Sequence, residues 1–208
     1  GKYLFNDLAS YVPWPDRAME SLDFSGRWVK ERQPVRRQIL PGVISREVRE
    51  GRSSHDYTIV QMALSAGAQY RAGEAWSMGL MFSGNSKHTI EQLQSGRKAI
   101  SAGELLMPGE IILDEGQSHS SAEVAAIYSD KGIDGVTDRS YRWLRSRPNH
   151  PTNIRPRPLT LNVWEAVYFD HDLARLTELA KVAEEIGVER FVLDDGWFGN
   201  RDDDTQAL

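Results

Sequence analysis

Two short clusters hold the residue types best suited to chemistry. One is Asn162-Val163-Trp164-Glu165-Ala166 and the other is Asp194-Asp195-Gly196-Trp197-Phe198-Gly199, each at the end of a short apolar run of strand length. Neighbouring carboxylates accept paired hydrogen bonds from adjacent hydroxyls, and an indole face packs on the apolar side of a pyranose, so the composition fits a sugar or another polyol. Sequence neighbours approach a ligand from one side, so Asp194 and Asp195 read as a pair that grips adjacent hydroxyls rather than as two groups acting on opposite faces of a reacting centre. Blander uses compete for the same residues. The Asp194-Asp195 pair also suits a solvated turn capping a helix, Trp164 suits strand-end packing, and Trp197 suits shaping of its own loop. Glu165 reads as an orienting group for its neighbours rather than as a general base.

Metal chemistry finds little support. The run Arg201-Asp202-Asp203-Asp204 lacks the alternation of ligand and spacer, and the distant bidentate glutamate, of a calcium loop, and reads as a solvated or substrate-facing loop. The five histidines, at 55, 88, 119, 150 and 171, are scattered singly, with no pair at metal-ligand spacing on one helix face. No metal and no organic cofactor is expected.

The elements around the clusters point to one parallel unit. Leu159 to Trp164 is an apolar run of strand length. Leu173, Leu176, Leu179, Ala180, Ala183 and Ile186 then recur at helical spacing, with Asp170 or Asp172 as N-cap and Gly187 at the position of a C′ glycine. Phe191 to Leu193 supplies a second strand. The span from Leu159 to Leu193 suits a βαβ crossover, which predicts a parallel sheet whose functional residues lie beyond the strand carboxyl ends.

The chain before this unit reads differently. From about Gly26 to Asp130, glycines separate short apolar stretches at all-β spacing, which predicts a sandwich. Strands are expected at Ile39–Leu40 running into Val43–Val48, at Tyr57–Leu64, at Glu74–Ser83, at Thr89–Leu93, at Ile111–Leu113 and at Glu123–Tyr128. In the clearest, Glu74–Ser83, Trp76, Met78, Leu80 and Phe82 alternate with lighter residues, as for one buried face. Pro41-Gly42, Glu50-Gly51, Gly84-Asn85 and Pro108-Gly109 read as hairpin connectors. Arg27 to Arg52 holds eight basic residues against three acidic, with Val35, Ile39, Val43 and Val48 interleaved, and reads as solvated strand faces that could contribute to a subunit contact. Ile133, Val136, Ser140, Trp143 and Leu144 predict a helix with Asp134 as N-cap. Four of the nine prolines then fall between 148 and 158, which predicts an extended linker. The expected organisation is a β-sandwich over residues 1–150 closed by a helix, a Pro-rich linker over 151–158, and the βαβ unit over 159–208.

Composition narrows the function classes. With 25 Lys and Arg against 30 Asp and Glu, the net charge of −5 disfavours nucleic acid and anionic membranes as partners. The absence of cysteine excludes disulfide scaffolds, thiol nucleophiles and Cys-based metal sites. No apolar run approaches the roughly 20 residues of a membrane span. No signal-peptide pattern opens the chain either, and with the lack of cysteine this favours the cytoplasm.

The second cluster is specific enough to name a resemblance. Phe191-Val192-Leu193-Asp194-Asp195-Gly196-Trp197-Phe198-Gly199, with Leu161-Asn162-Val163-Trp164-Glu165-Ala166-Val167-Tyr168-Phe169, resembles the opening barrel strands of glycoside hydrolase family 36, the bacterial α-galactosidases. Gly26-Arg27-Trp28, Gly51-Arg52-Ser53-Ser54-His55, Phe82-Ser83-Gly84-Asn85 and Tyr128-Ser129-Asp130-Lys131-Gly132 are similar to that family's N-terminal β-sandwich. The resemblance implies a multi-domain protein, a sandwich followed by the first strands of a (β/α)8 barrel. The implied enzyme is a retaining α-galactosidase acting on melibiose- or raffinose-type oligosaccharides, without cofactor and often homotetrameric. Asp194 and Asp195 would bind galactose hydroxyls at positions 4 and 6, with Trp164 lining the pocket and Trp197 a further candidate contact. The family's nucleophile, in a Lys-Trp-Asp motif, and its acid/base aspartate lie on later strands, beyond Leu208. The 208 residues are therefore expected to be an internal piece, inactive when isolated. About 155 complete a sandwich, leaving some 50 for a barrel that needs roughly 250. α-N-Acetylgalactosaminidase, galactosyl transfer and a non-catalytic sugar-binding or assembly module remain open alternatives.

Overall fold

The computed structural model describes residues 3–4, 7–56, 60–199, 201–203 and 205. The chain forms two compact units, Gly1–Leu144 and Arg145–Leu208. The strands of the first are β1 (Tyr3–Leu4), β2 (Asp7–Trp14), β3 (Ala18–Arg27), β4 (Lys30–Gln38), β5 (Gly42–Val48), β6 (Val60–Ser65), β7 (Ala75–Leu80), β8 (Ser86–Gln92), β9 (Lys98–Leu105), β10 (Ile112–Leu113) and β11 (Val124–Ser129), followed by helix α1 (Gly132–Ser146). The second unit holds α2 (Pro151–Ile154), β12 (Thr160–Asn162), α3 (Trp164–Val167), α4 (Leu173–Glu185) and β13 (Arg190–Val192).

The first unit is a sandwich with a helix on its outer face. A five-stranded sheet in the order β11-β7-β6-β3-β4 faces a four-stranded sheet in the order β2-β9-β8-β5, all pairs antiparallel. Met78 and Leu80 meet Ile90, Ile100 and Ala102 between the sheets. On the other face of the five-stranded sheet, Leu22, Met62, Leu64 and Ala75 pack against Ile133 and Val136 of α1. This third layer explains why β7 departs from the expected single buried face. Ser77 and Gly79 are buried as well as Met78 and Leu80, because the sheet is covered on both sides, whereas Phe82 lies past the strand end and is exposed. The expected strand Tyr57–Leu64 is β6 from Val60 onward, and residues 57–59 lie outside the described set.

All four expected hairpin connectors are corrected. Pro41-Gly42 joins β4 to β5, Glu50-Gly51 lies between β5 and β6, Gly84-Asn85 joins β7 to β8, and Pro108-Gly109 lies between β9 and β10, and in each case the two strands belong to different sheets. The first three turn the corners of the sandwich. Local turn chemistry fixes the bend, while the pairing of the next strand is decided by where its apolar face is buried. The basic segment runs through β4 and β5, the edge strands of the two sheets, and β4 is mostly exposed, which suits its Pro34. Arg36 pairs with Glu20, and Arg37 Nη1 lies 2.6 Å from the buried Asp23 carboxylate, so two of its cations are answered on β3.

Helix α1 starts two residues before the expected cap. Gly132, Ile133 and Asp134 donate their N–H groups to the carbonyls of Gly73, Gln69 and Tyr70, at 2.8, 3.2 and 2.8 Å. The orphan donors of the first turn are thus satisfied by the β6–β7 loop, and Asp134 lies within the first turn with its carboxylate 3.3 Å from Arg71. The proline-rich stretch is not wholly extended either. Pro151 begins the one-turn α2, where its missing N–H costs nothing, and Nδ1 of the N-cap His150 accepts from Thr152.

The second unit is the expected parallel crossover. β12 and β13 pair in parallel, Thr160 to Arg190 and Asn162 to Val192. α4 is capped by Asp172, whose Oδ1 accepts the Arg175 N–H at 2.8 Å, and Gly187 follows its end at φ +87°. Only Ala183 of α4 is buried, while Leu173, Val182 and Ile186 stand exposed. That is the uncovered helix face expected of a βαβ unit taken by itself. β12 is shorter than Leu159–Trp164. Asn162 Oδ1 accepts the Trp164 N–H at 2.8 Å and the Val163 carbonyl accepts from Ala166 and Val167, which curls the chain into the single turn α3. Trp164 therefore heads the loop beyond the strand rather than ending the strand.

Candidate functional site

The site lies at the carboxyl ends of β12 and β13, where the parallel pairing brings the two clusters side by side. Asp194 and Asp195 follow β13 by two and three residues, both half-buried. Asp194 accepts a short hydrogen bond from the Asn162 side-chain amide across the strand pair. The other end of that amide holds the Trp164 backbone, so Asp194 and Trp164 share one anchor. The Trp164 ring is wedged edge-on between Tyr168 and Phe169, with centroids 5.3 and 4.9 Å away. Tyr168 closes α3 at φ +47°, with its hydroxyl donating to Glu165 Oε2 at 3.1 Å.

Asp195 is held by a different device. Arg201 returns from the loop to pair with it in a two-pronged contact of 2.6 and 2.8 Å, and the Gly196 N–H adds a bond of 2.8 Å. The Arg201 guanidinium first, then the Gly196 amide and, more weakly, His171 hold the Asp195 carboxyl below the usual carboxylate range against its partial desolvation. It stays ionised at neutral pH, as an acceptor of hydroxyl protons must be. Arg201 also lies 5.6 Å from the Phe169 ring centroid. The loops after β12 and β13 are thereby clasped twice, once by Asn162 to Asp194 and once by Phe169 to Arg201 to Asp195.

Gly196 lets this clasp close. It sits at φ +86°, and a Cβ there would stand 2.8 Å from Phe169 Cδ1 and 3.2 Å from His171 Cε1. Gly196→Ala is expected to cost about 1–2 kcal/mol from the left-handed backbone alone. By pushing Phe169 off Arg201 it should also loosen the clasp on Asp195. Thermal unfolding and limited proteolysis at the 196–201 loop check the two effects.

Among the sequence-derived candidates, the structure joins Asp194, Asp195 and Trp164 through shared neighbours. Trp197 is 66% exposed, with its ring edge-on to Phe198 at 5.2 Å. The capping alternative for the aspartates loses its object, because no helix follows them among the described residues. Asn162 and Arg201 carry the geometry and were not singled out as site residues from the sequence. The available signals were an amide one residue before the strand-end turn and a cation six residues past Asp195. Asp204 of the acidic run lies outside the described residues.

Residues 2–114 match the family model for the glycosyl hydrolase family 36 N-terminal domain, and residues 118–208 match that for melibiase. The chain belongs to glycoside hydrolase family 36. It is 35% identical over 208 residues to an α-galactosidase of Escherichia coli, covering 100% of this chain and 29% of that enzyme. The crystal structure of the family 36 α-galactosidase AgaA from Geobacillus stearothermophilus superposes with a TM-score of 0.84 at 33% identity, covering 95% of this chain and 28% of AgaA. A variant of AgaA in complex with raffinose superposes with a TM-score of 0.83 at 34% identity, over 93% of this chain and 27% of the variant. The chain thus spans less than a third of these relatives, as a family 36 sandwich followed by the first strands of the barrel.

Proposed function

We propose that this chain is the part of a retaining α-galactosidase that grips the terminal galactose of raffinose-type oligosaccharides. The observation that carries the reading is the pair Asp194 and Asp195 at the rim of two parallel strands, each carboxylate braced by its own partner, in a family 36 chain. Two carboxylates from one strand end approach a sugar from one side, so their chemistry is recognition of hydroxyls, with Trp164 offering an apolar wall. The raffinose seen in the AgaA variant supports the substrate class. The bonds made and broken at the anomeric carbon belong to other carboxyl groups, because a retaining mechanism needs two of them about 5–5.5 Å apart on opposite sides of that carbon and sequence neighbours cannot straddle a sugar.

The test is an assay of the full-length protein that carries this chain on an aryl α-galactoside, with proton NMR following the sugar first released. The expected result is hydrolysis that releases the α-anomer of galactose first and leaves the matching α-glucoside nearly untouched. Absence of α-galactoside turnover, or β-galactose as the first product, would contradict the reading.

A further inference from the structure

We propose that Asn162 is a positioning residue for galactose recognition, which sets the Asp194 carboxylate and the Trp164 wall with a single amide. The inference rests on the reading of Asp194 as a hydroxyl-gripping group and adds to it the residue through which that grip is set. Asn162 is the last residue of β12, paired in register with Val192, two residues before Asp194 on the neighbouring strand. Its Nδ2 donates to Asp194 Oδ2, and its Oδ1 accepts from the Trp164 N–H at 2.8 Å.

With both ends engaged, the amide has one workable orientation. Flipping it would set a carbonyl against a carboxylate and an NH2 group against an N–H, so the planar group is locked and Asp194 Oδ2 with it. Asp194 Oδ1 lies outside that bond and is the atom left to meet a substrate hydroxyl. The contrast with Asp195 sharpens the assignment. A guanidinium on the same loop braces Asp195, whereas a neutral amide on the adjacent strand braces Asp194, so the position of Asp194 tracks β12 and, through Trp164, the loop that follows it.

The experiment is a double-mutant cycle in the full-length enzyme, read as kcat and KM for an aryl α-galactoside. Asn162→Ala is expected to lower kcat/KM about tenfold, mostly through KM, and to cause a clearly smaller further loss when Asp194 is already alanine, since only the Trp164 anchor is then left to lose. Asn162→Asp keeps the acceptor for the Trp164 N–H, and with it the local turn, but loses the donor. It should fold as the wild type by circular dichroism and lose at least as much activity as Asn162→Ala. An equal loss from Asn162→Ala with and without the Asp194 carboxylate would show a general structural role and overturn the inference. A silent Asn162→Ala beside a damaging Asp194→Ala would overturn it alone, while a silent Asp194→Ala would overturn the site reading as well.

Discussion

Replacing Asp194 or Asp195 by asparagine in the full-length enzyme is expected to lower kcat/KM for α-galactosides by about 100-fold or more, with KM raised. A hydrogen bond to a charged group contributes about 1.5–3 kcal/mol. Losing one such charged contact at the upper end of that range costs about 3 kcal/mol, which is roughly two decades in an equilibrium or rate ratio. Asparagine preserves volume and one acceptor oxygen, so the change is chiefly in charge and in the second acceptor. The two variants should differ in one respect. Asp195→Asn also removes one prong and the charge from the pairing with Arg201, whose guanidinium bonds both oxygens, so the loop that carries Arg201 is held less firmly. Asp194→Asn can keep the Asn162 bond through its own amide oxygen, so its defect should be confined to substrate. Steady-state kinetics with thermal melting separates the two, and kcat/KM within threefold of wild type in both variants would remove the assigned role.

The second large effect is on stability, at the start of α1. Gly132 has φ +67°, and a Cβ there would stand 2.3 and 2.6 Å from the carbonyl oxygens of Gln69 and Tyr70 and 2.7 Å from Ala72 N. Those two carbonyls also accept the next two N–H groups of the helix, so the loop cannot retreat without unmaking the cap. Gly132→Ala combines a left-handed penalty of about 1–2 kcal/mol with overpacking of about 1–3 kcal/mol. The sum, about 2–5 kcal/mol, corresponds to a fall of roughly 5–15 °C in the melting of the sandwich unit. Gly109→Ala is the matched control. It shares the positive φ, at +82°, but nothing lies within 4 Å of the added Cβ, so only the backbone penalty remains. Calorimetry of both variants reads the difference, and equal melting temperatures would show that the contact at Gly132 relaxes freely.

The elements legible in the sequence are those whose signals are local. The α4 crossover was legible because Leu176, Leu179, Ala180 and Ala183 repeat at helical spacing between a capping aspartate and a terminal glycine, all within one element. β3 and β9 were not anticipated as strands. β9 is buried along nearly its whole length by small and polar residues, and β3 buries Ser21 and Asp23 beside Leu22, so neither shows a two-residue alternation. A strand covered on both faces carries no such signal. The site divides in the same way. The aspartates and Trp164 stand out by residue type at strand ends. Asn162 acquires its part only when β12 and β13 pair in a definite register, and Arg201 only when the loop folds back, so neither role is written in local spacing.

If Asp194 and Asp195 hold the sugar through its hydroxyls, a crystal structure of the full-length enzyme with galactose bound will show both carboxylates within hydrogen-bond distance of galactose hydroxyls, with the Trp164 indole against the ring and Asn162 still bonded to Asp194. Galactose bound in the barrel with neither carboxylate touching a hydroxyl would contradict that role.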